Sequence, residues 1–315
     1  MTELNNSPEL KALYGSSQEL LFAGLPTFMR RRYTRDLTGV DIAVLGVPCD
    51  LATSFRPGAR FGPASIRQIS ADMAWWNKQF HWEFNPFNRL AIVDYGDVNF
   101  EYGNPADLVE KTQKDVADIV KSGAETLCLG GDHFITLPVL RELAKVHGPL
   151  SLIHFDAHTD TDPHGNTYDH GSMFFHAVQE GLVDPERSVQ IGIRTEYYKK
   201  DKFVVLSSPW VHEHGISATV SEIKNVVRSN KAYLTFDIDC LDPAFAPGTG
   251  TPVMGGLSSD QVLGILRGLT GINFIGMDVV EVSPTYDVGN ITSFAAAQIA
   301  LEYLCLKSVD RKDVV

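Results

Sequence analysis

The chain has 315 residues, enough for one large α/β domain with a substantial core, and its content of 44% hydrophobic and 21% charged residues is typical of a soluble globular protein. Its formal net charge of −12 disfavours nucleic acid and anionic membranes as partners and mildly favours a cationic small molecule. The polar segment Met1–Lys11 lacks the apolar core of a signal peptide, and no apolar run approaches the ~18 residues of a membrane span. Four widely separated cysteines without a CxxC pair indicate reduced thiols, so we expect a cytoplasmic protein.

Residues 1–40 show no clear hydrophobic periodicity, and we interpret them as an N-terminal arm that lies over the surface. The run Arg30-Arg31-Arg32 in this arm is expected to form a solvated basic patch. Residues 41–315 contain neither a linker composition nor an internal repeat, which predicts a single domain.

Strand-like and helix-like patterns alternate along this domain. The predicted strands are Asp41–Val47, Leu90–Val93, Thr126–Leu129, Leu152–Phe155, Ser188–Ile193, Tyr233–Asp239 and Asn273–Val280. The predicted helices are Ala64–Trp75, one from Pro105 to a stop at Gly123, one that ends at Gly148, Met173–Glu180, Ser217–Val227, one from the capping box at Ser258 to about Leu269, and Ile291–Leu306. This alternation predicts βαβ units and a mostly parallel sheet, with the functional site beyond the carboxyl ends of the strands.

The strand predicted at Leu152–Phe155 runs directly into Asp156, His158 and Asp160. If the backbone stays extended, side chains at every second position point the same way, so these three converge on one point. Two carboxylates and an imidazole suit Mn²⁺, Zn²⁺ or Fe²⁺ better than Ca²⁺. Taken alone, the motif also fits a polar turn in which the aspartates cap a helix. The neighbouring His154 lies within the strand and is expected to be structural.

Two further apolar strands end in metal-ligand residue types. Asp237 and Asp239 end one of them, and His133 follows Gly130-Gly131-Asp132 after the other. Like charges side by side in a buried strand repel each other unless a cation or a proton lies between them. Arginine partners would be the other way to neutralise these carboxylates. Three strand ends of this kind predict one shared metal site.

Three blocks then carry a family resemblance: Gly130-Gly131-Asp132-His133, Phe155–Asp160 and Phe236–Pro243. They resemble the signature blocks of the ureohydrolase (arginase/agmatinase) family, and the similarity extends from about Asp41 to the C-terminus. The resemblance implies a three-layer α/β/α sandwich around a mostly parallel sheet. It also implies two Mn²⁺ ions per subunit, hydrolysis of a guanidino group to urea and an amine, and assembly into homo-oligomers, either trimers or hexamers.

The same resemblance assigns roles to individual residues. One ion would be held by His133, Asp156, Asp160 and Asp237, and the other by Asp156, His158, Asp237 and Asp239. Asp160 would also orient the attacking water, His170 would shuttle protons to the leaving amine, and Glu281 would pair with the substrate guanidinium. His170 as a structural loop residue and Glu281 as a turn cap are the alternatives for those two positions.

The loop of residues 161–169 bears on the substrate. It is shorter than the corresponding loop of arginases and lacks their Asn/Ser/Thr run, whereas Asp169-His170-Gly171-Ser172 is similar to bacterial agmatinases. We therefore expect agmatine as substrate, with Asp162 and Asp169 favouring its distal ammonium and Ser172 bordering the pocket. The alternative substrate is 4-guanidinobutyrate or a related guanidino acid. A non-catalytic metal-binding regulator would be expected to have lost a ligand, His170 or Glu281, and a metallophosphoesterase would need cations that these loops lack.

Overall fold

In a computed structural model of the chain, which describes residues 13–17, 19–197 and 202–315, nine strands form one sheet in which every pairing is parallel. The strands are β1 (Arg32–Tyr33), β2 (Ile42–Val47), β3 (Ile92–Asp97), β4 (Glu125–Gly130), β5 (Ser151–Phe155), β6 (Val189–Ile191), β7 (Val204–Leu206), β8 (Lys231–Asp237) and β9 (Asn273–Val280). Their order across the sheet is β1-β3-β2-β4-β9-β8-β5-β6-β7. The order reverses around β4, β9, β8 and β5, and such a reversal is where parallel sheets bind ligands.

Helices cover both faces of the sheet. They are α1 (Gly62–Ser70), α2 (Pro105–Ser122), α3 (Thr136–His147), α4 (Met173–Gln179), α5 (Ser208–Val227), α6 (Ser259–Gly268) and α7 (Ile291–Ser308). The buried side chains of β2 alternate between two hydrophobic clusters, because successive residues of a strand face opposite sides. Val44 shares its cluster with residues of α1, α5, α6 and α7, whereas Leu45 belongs to the cluster of α2, α3 and α4. These three layers confirm the predicted α/β/α sandwich.

Several helix ends follow the signals read in the sequence. Asn104 caps α2 by accepting a hydrogen bond from Asp107 N at 3.2 Å, and Gly123 ends the helix with a φ of 89°. At the start of α6, Ser258 and Gln261 form the predicted capping box, in which each side chain accepts from the other residue's backbone N–H.

Other boundaries differ from the prediction. Strands β1 and β7 were not predicted; β1 has only two residues, which are too few to show a period, and β7 has three. Helix α5 begins at Ser208 instead of Ser217, with a break at Gly215, and α1 ends at Ser70 instead of Trp75. Within the described residues, no helix combines the length and apolarity needed to cross a membrane.

The predicted solvated patch at Arg30-Arg31-Arg32 is wrong for Arg31. Its side chain is buried, its guanidinium stacks 4.3 Å from the centre of the Phe87 ring, and burial lowers its pKa to about 10. Strand β1 follows immediately and pairs with β3, so this part of the predicted arm joins the sheet. Residues 1–12 of that arm lie outside the described residues.

Candidate metal centre

The site lies where four neighbouring strands end. Since β4, β9, β8 and β5 are adjacent and parallel, the residues that follow them meet at one edge of the sheet. His133 follows β4, Glu281 follows β9, Asp237 ends β8, and Asp156 follows β5. All four are buried.

His133 stands at the centre of a first group. Its Nδ1 atom lies 3.1 Å from Asp156 Oδ2, 2.9 Å from Asp160 Oδ2 and 3.3 Å from Asp237 Oδ2. Ligand atoms at right angles around an octahedral ion, each about 2.1 Å from it, are about 3.0 Å apart. The separations in this group match that spacing.

His158 stands at the centre of a second group. Its Nδ1 atom lies 3.3 Å from Asp156 Oδ1 and 3.2 Å from Asp239 Oδ2. Asp156 therefore presents one carboxylate oxygen to each histidine, which is the geometry of a ligand that bridges two ions. Asp237 belongs to the first group through its Oδ2 atom, which lies 3.3 Å from His133 Nδ1. Its Oδ1 atom accepts a hydrogen bond from Asp239 N at 2.8 Å.

The residues converge by a route that differs from the predicted one. Strand β5 ends at Phe155, and Asp160 has a φ of 53°, in the left-handed region that non-glycine residues occupy at a cost of about 1–3 kcal/mol. Strand β8 ends at Asp237, and a 3₁₀ turn over Ile238–Cys240 carries Asp239. The expectation of extended backbone through Asp160 and Asp239 is therefore wrong, because turns aim these side chains.

The hydrogen bonds of His133 indicate what this site can hold. Thr235 Oγ1 donates to Asp278 Oδ1 at 2.6 Å, so at 2.8 Å from His133 Nε2 it can only accept, and Nε2 carries the proton. In the neutral ring the lone pair of Nδ1 then faces three carboxylates, and Nδ1 has no hydrogen-bond partner in the described part of the chain. A bare nitrogen opposite three carboxylate oxygens fits a divalent metal ion.

The electrostatics of the group also favour a cation. Burial alone would lower the pKa of His133, but the nearby Asp156, Asp160 and Asp237 outweigh it and raise the pKa well above its ordinary value. Burial, followed by the charges of Asp239 and Asp156, raises the pKa of Asp237 well above its usual range. Among the described residues, no lysine or arginine forms an ion pair with these carboxylates, so the arginine alternative lacks support there.

A cavity of about 430 Å³ opens onto these groups. Its lining includes His158, Asp160 and Asp237 together with Asp162 and His170. It also includes residues that the sequence analysis did not identify, namely Ser54, Thr195, Glu196, Tyr197 and Thr251.

Two other predicted pocket residues serve the loop itself. The carboxylate of Asp169 accepts from Gly171 N at 2.8 Å, and Ser172 Oγ donates to Asn166 O at 2.9 Å. Asp169 and Ser172 are not among the residues that line the cavity, so the structure places them in the support of the His170 loop.

Glu281 contacts both His133 and His170 through one carboxylate oxygen. Its Oε1 accepts from His133 N at 2.9 Å and lies 2.9 Å from His170 Nδ1, while Oε2 has no hydrogen-bond partner within the described residues. Burial alone would lower the pKa of His170, but hydrogen bonding to Glu281 outweighs it and raises the pKa to about 9. The other ring nitrogen lies 2.9 Å from Ser54 Oγ, so His170 bridges the 50–60 loop and the site.

Comparisons with known proteins agree with this geometry. The sequence profile of the Arginase family matches residues 40–305. The chain belongs to the arginase family. An agmatinase of Neisseria meningitidis serogroup A is 56% identical over 271 residues, which cover 86% of this chain and 88% of that protein.

Among solved structures, a hypothetical agmatinase from Burkholderia thailandensis has a TM-score of 0.91 and 53% identity, with 96% of each chain covered. The proclavaminate amidino hydrolase of Streptomyces clavuligerus has a TM-score of 0.87 and 38% identity, with 92% of this chain and 99% of that chain covered. As a member of the arginase family, a family of binuclear metal enzymes, this chain is a ureohydrolase. Its clustered histidines and aspartates can hold metal.

Proposed function

We propose that this protein is an agmatinase, which hydrolyses the guanidino group of agmatine to give putrescine and urea. Similarity to agmatinases over most of the chain supports the substrate. The observation that carries the chemistry is the position of His133 Nδ1, which lies 2.9–3.3 Å from three carboxylate oxygens beside the cavity.

Two Mn²⁺ ions are the proposed cofactor. One would be held by His133, Asp156, Asp160 and Asp237, and the other by Asp156, His158, Asp237 and Asp239. When bound, such ions lower the pKa of a water and make it a nucleophile strong enough to attack a resonance-stabilised guanidinium carbon. Asp160, which lines the cavity, would accept a hydrogen bond from that water and orient it.

Glu281 would bind the guanidinium. Its carboxylate is buried and its Oε2 atom is unpaired among the described residues, so a planar fork of N–H donors can satisfy it. A guanidinium that pairs with Glu281 would compete with the Nδ1–H of His170 for Oε1. The released His170 N–H would then donate its proton to the leaving amine.

The outer part of the cavity would receive the distal ammonium of agmatine. Asp162 and Glu196 line the cavity, and both are exposed, so their attraction for a cation is modest and sensitive to salt. Asp169 and Ser172 would contribute indirectly, by shaping the loop that carries His170.

The proposed reaction is tested by its products. Purified protein loaded with Mn²⁺ is expected to release urea and putrescine from agmatine in equal amounts, and stripping the metal with a chelator should abolish both. Release of ammonia and N-carbamoylputrescine in place of urea and putrescine would indicate hydrolysis of a different C–N bond of the guanidino group. Full release of urea and putrescine from verified metal-free protein would contradict the metal chemistry.

We also propose a cytoplasmic homo-oligomer, a trimer or hexamer. Exposed aromatic side chains, including Trp76 and Phe80, support an association surface. Analytical ultracentrifugation of the purified chain tests this assembly, and a monomer at micromolar concentration would contradict it.

A further inference from the structure

His154 lies beside the candidate metal ligands, although its position within a predicted strand favours a structural residue. It lies in β5, two residues before Asp156, and is buried. Its Nε2 atom is 2.7 Å from Asp156 Oδ2, and its ring atoms are close enough to His133, Asp156 and Asp160 to belong to the same potential metal group. His154 is therefore either a ligand or a residue that acts on a ligand.

The neighbouring Gln190 decides between these two roles. Gln190 Nε2 lies 2.7 Å from Thr159 O, and a backbone carbonyl only accepts, so the side-chain atom there is the amide nitrogen. The same nitrogen lies 3.0 Å from His154 Nδ1. Since the amide nitrogen is a donor, Nδ1 must accept and carries no proton. The proton of the neutral ring is then on Nε2, which points at Asp156 Oδ2.

In their neutral forms, His154 and His133 thus present different groups to the same carboxylate of Asp156: His154 an N–H donor and His133 an unprotonated nitrogen. The Thr235 hydroxyl leaves His133 Nδ1 as a bare lone pair, whereas Gln190 leaves His154 Nε2 as an N–H donor. Asp156 Oδ2 lies 3.1 Å from the first nitrogen and 2.7 Å from the second. An N–H donor does not bind a metal ion, so His154 is outside the ligand set.

We propose that His154 is a positioning residue of the metal centre, which donates its Nε2–H to Asp156 and fixes the bridging carboxylate. The other end of this carboxylate is held by the backbone N–H of His158, which donates to Oδ1 at 2.6 Å. Together the two donors hold one oxygen toward His133 and the other toward His158. This inference rests on the proposed metal site and adds the residue that orients its shared ligand.

Hydrogen-bond partners of metal ligands typically change metal affinity by about 10–100-fold when they are removed. A matched pair of variants distinguishes the effect of the Nε2–H donor of His154 from the effect of its packing. In His154→Gln the side-chain amide reaches the place of Nε2 and keeps a donor for Asp156. In His154→Asn the shorter amide reaches only the place of Nδ1, near Gln190.

The measurement is a Mn²⁺ titration of metal-stripped protein, which gives the dissociation constant and the number of ions bound, with the melting temperature of the metal-free forms as the check on folding. His176→Phe, on α4 and outside the metal groups, is the control. We expect His154→Asn to weaken Mn²⁺ binding about 10–100-fold and still bind two ions at saturation. His154→Gln and the control should stay within about threefold of wild type.

If His154→Asn does not fold, His154→Phe takes its place, because its ring can keep the contact with Phe174, whose ring centre lies 4.6 Å from that of His154. Wild-type affinity in the variant without a donor would overturn the proposal. So would the loss of one whole ion at saturating Mn²⁺, since that result makes His154 a ligand. A wild-type protein that binds no Mn²⁺ would instead overturn the proposed metal centre, and the role of His154 with it.

Discussion

Replacing Glu281 with glutamine tests the proposed guanidinium contact most sharply. The substitution keeps the size of the side chain and an oxygen that can accept from His133 N, but it removes the charge and places N–H donors opposite the substrate. Because Glu281 is 1% exposed, water cannot take over its role. The variant therefore tests the charge and not the shape of this residue.

The expected loss follows from that burial. Truncating one partner of a buried, hydrogen-bonded charge pair costs about 2–5 kcal/mol, and about 1.36 kcal/mol corresponds to a tenfold change in rate. The range is therefore about 30-fold to several thousand-fold in kcat/KM. Since Oε2 has no competing partner in the described structure, we expect a loss of at least about 100-fold.

The assay is urea release from agmatine at equal Mn²⁺ occupancy. Glu302→Gln is the control, since Glu302 of α7 is equally buried but accepts from Arg267 and Trp82, away from the site. That variant is expected to lower the melting temperature and leave kcat/KM unchanged. A Glu281→Gln enzyme within about fivefold of wild type, with two ions bound, would refute the assignment of the guanidinium to Glu281.

Three further substitutions address the metals, the proton shuttle and the substrate tail. Asp237→Asn is expected to remove metal and activity together, and tightly bound ions with normal turnover would disprove its role as a ligand. His170→Ala should lower turnover about 100-fold or more with metal content intact, as general acids contribute about 10²–10⁴-fold, and coincident metal loss would make His170 a ligand. Because the pKa of His170 is raised to about 9, its acid form is present below that pH and lost above it. An alkaline fall in kcat/KM near pH 9 should therefore be present in wild type and absent from the variant. Glu196→Gln should raise KM for agmatine a few-fold, by less at high salt, and an unchanged KM at low salt would remove Glu196 from substrate binding.

The sequence was enough to predict that the site residues lie close together, because parallel strands place their carboxyl ends at one edge of the sheet. His133, Asp156 and Asp237 each follow or end an apolar run, so finding the strands was enough to bring them together. The family resemblance then supplied His170 and Glu281, whose local sequence alone also fits a loop residue and a turn cap.

The local geometry could not be predicted in the same way. Side chains at every second position point the same way only if the backbone is extended. In the structure, Asp160 has a positive φ and Asp239 lies in a 3₁₀ turn. Tertiary contacts impose these turns, such as the hydrogen bond from Phe174 N to Asp160 O at 3.0 Å.

The residues that the sequence analysis missed share a physical reason. Ser54 meets His170 across 116 positions of the chain, and serine is too common a residue type to stand out. The role of His154 depends on the amide orientation of Gln190, which is set in turn by the carbonyl of Thr159. Such roles come from partners distant in sequence, and no local pattern encodes them.

The central claim is that this arginase-family chain hydrolyses agmatine at a metal centre. The most direct measurement compares kcat/KM for urea release from agmatine, arginine and 4-guanidinobutyrate, with the metal content recorded on the same Mn²⁺-loaded sample. We predict a clear preference for agmatine with two ions bound per chain. A preference for 4-guanidinobutyrate would contradict the proposed recognition of the distal ammonium, and no urea from any of the three with two ions bound would contradict the proposed function.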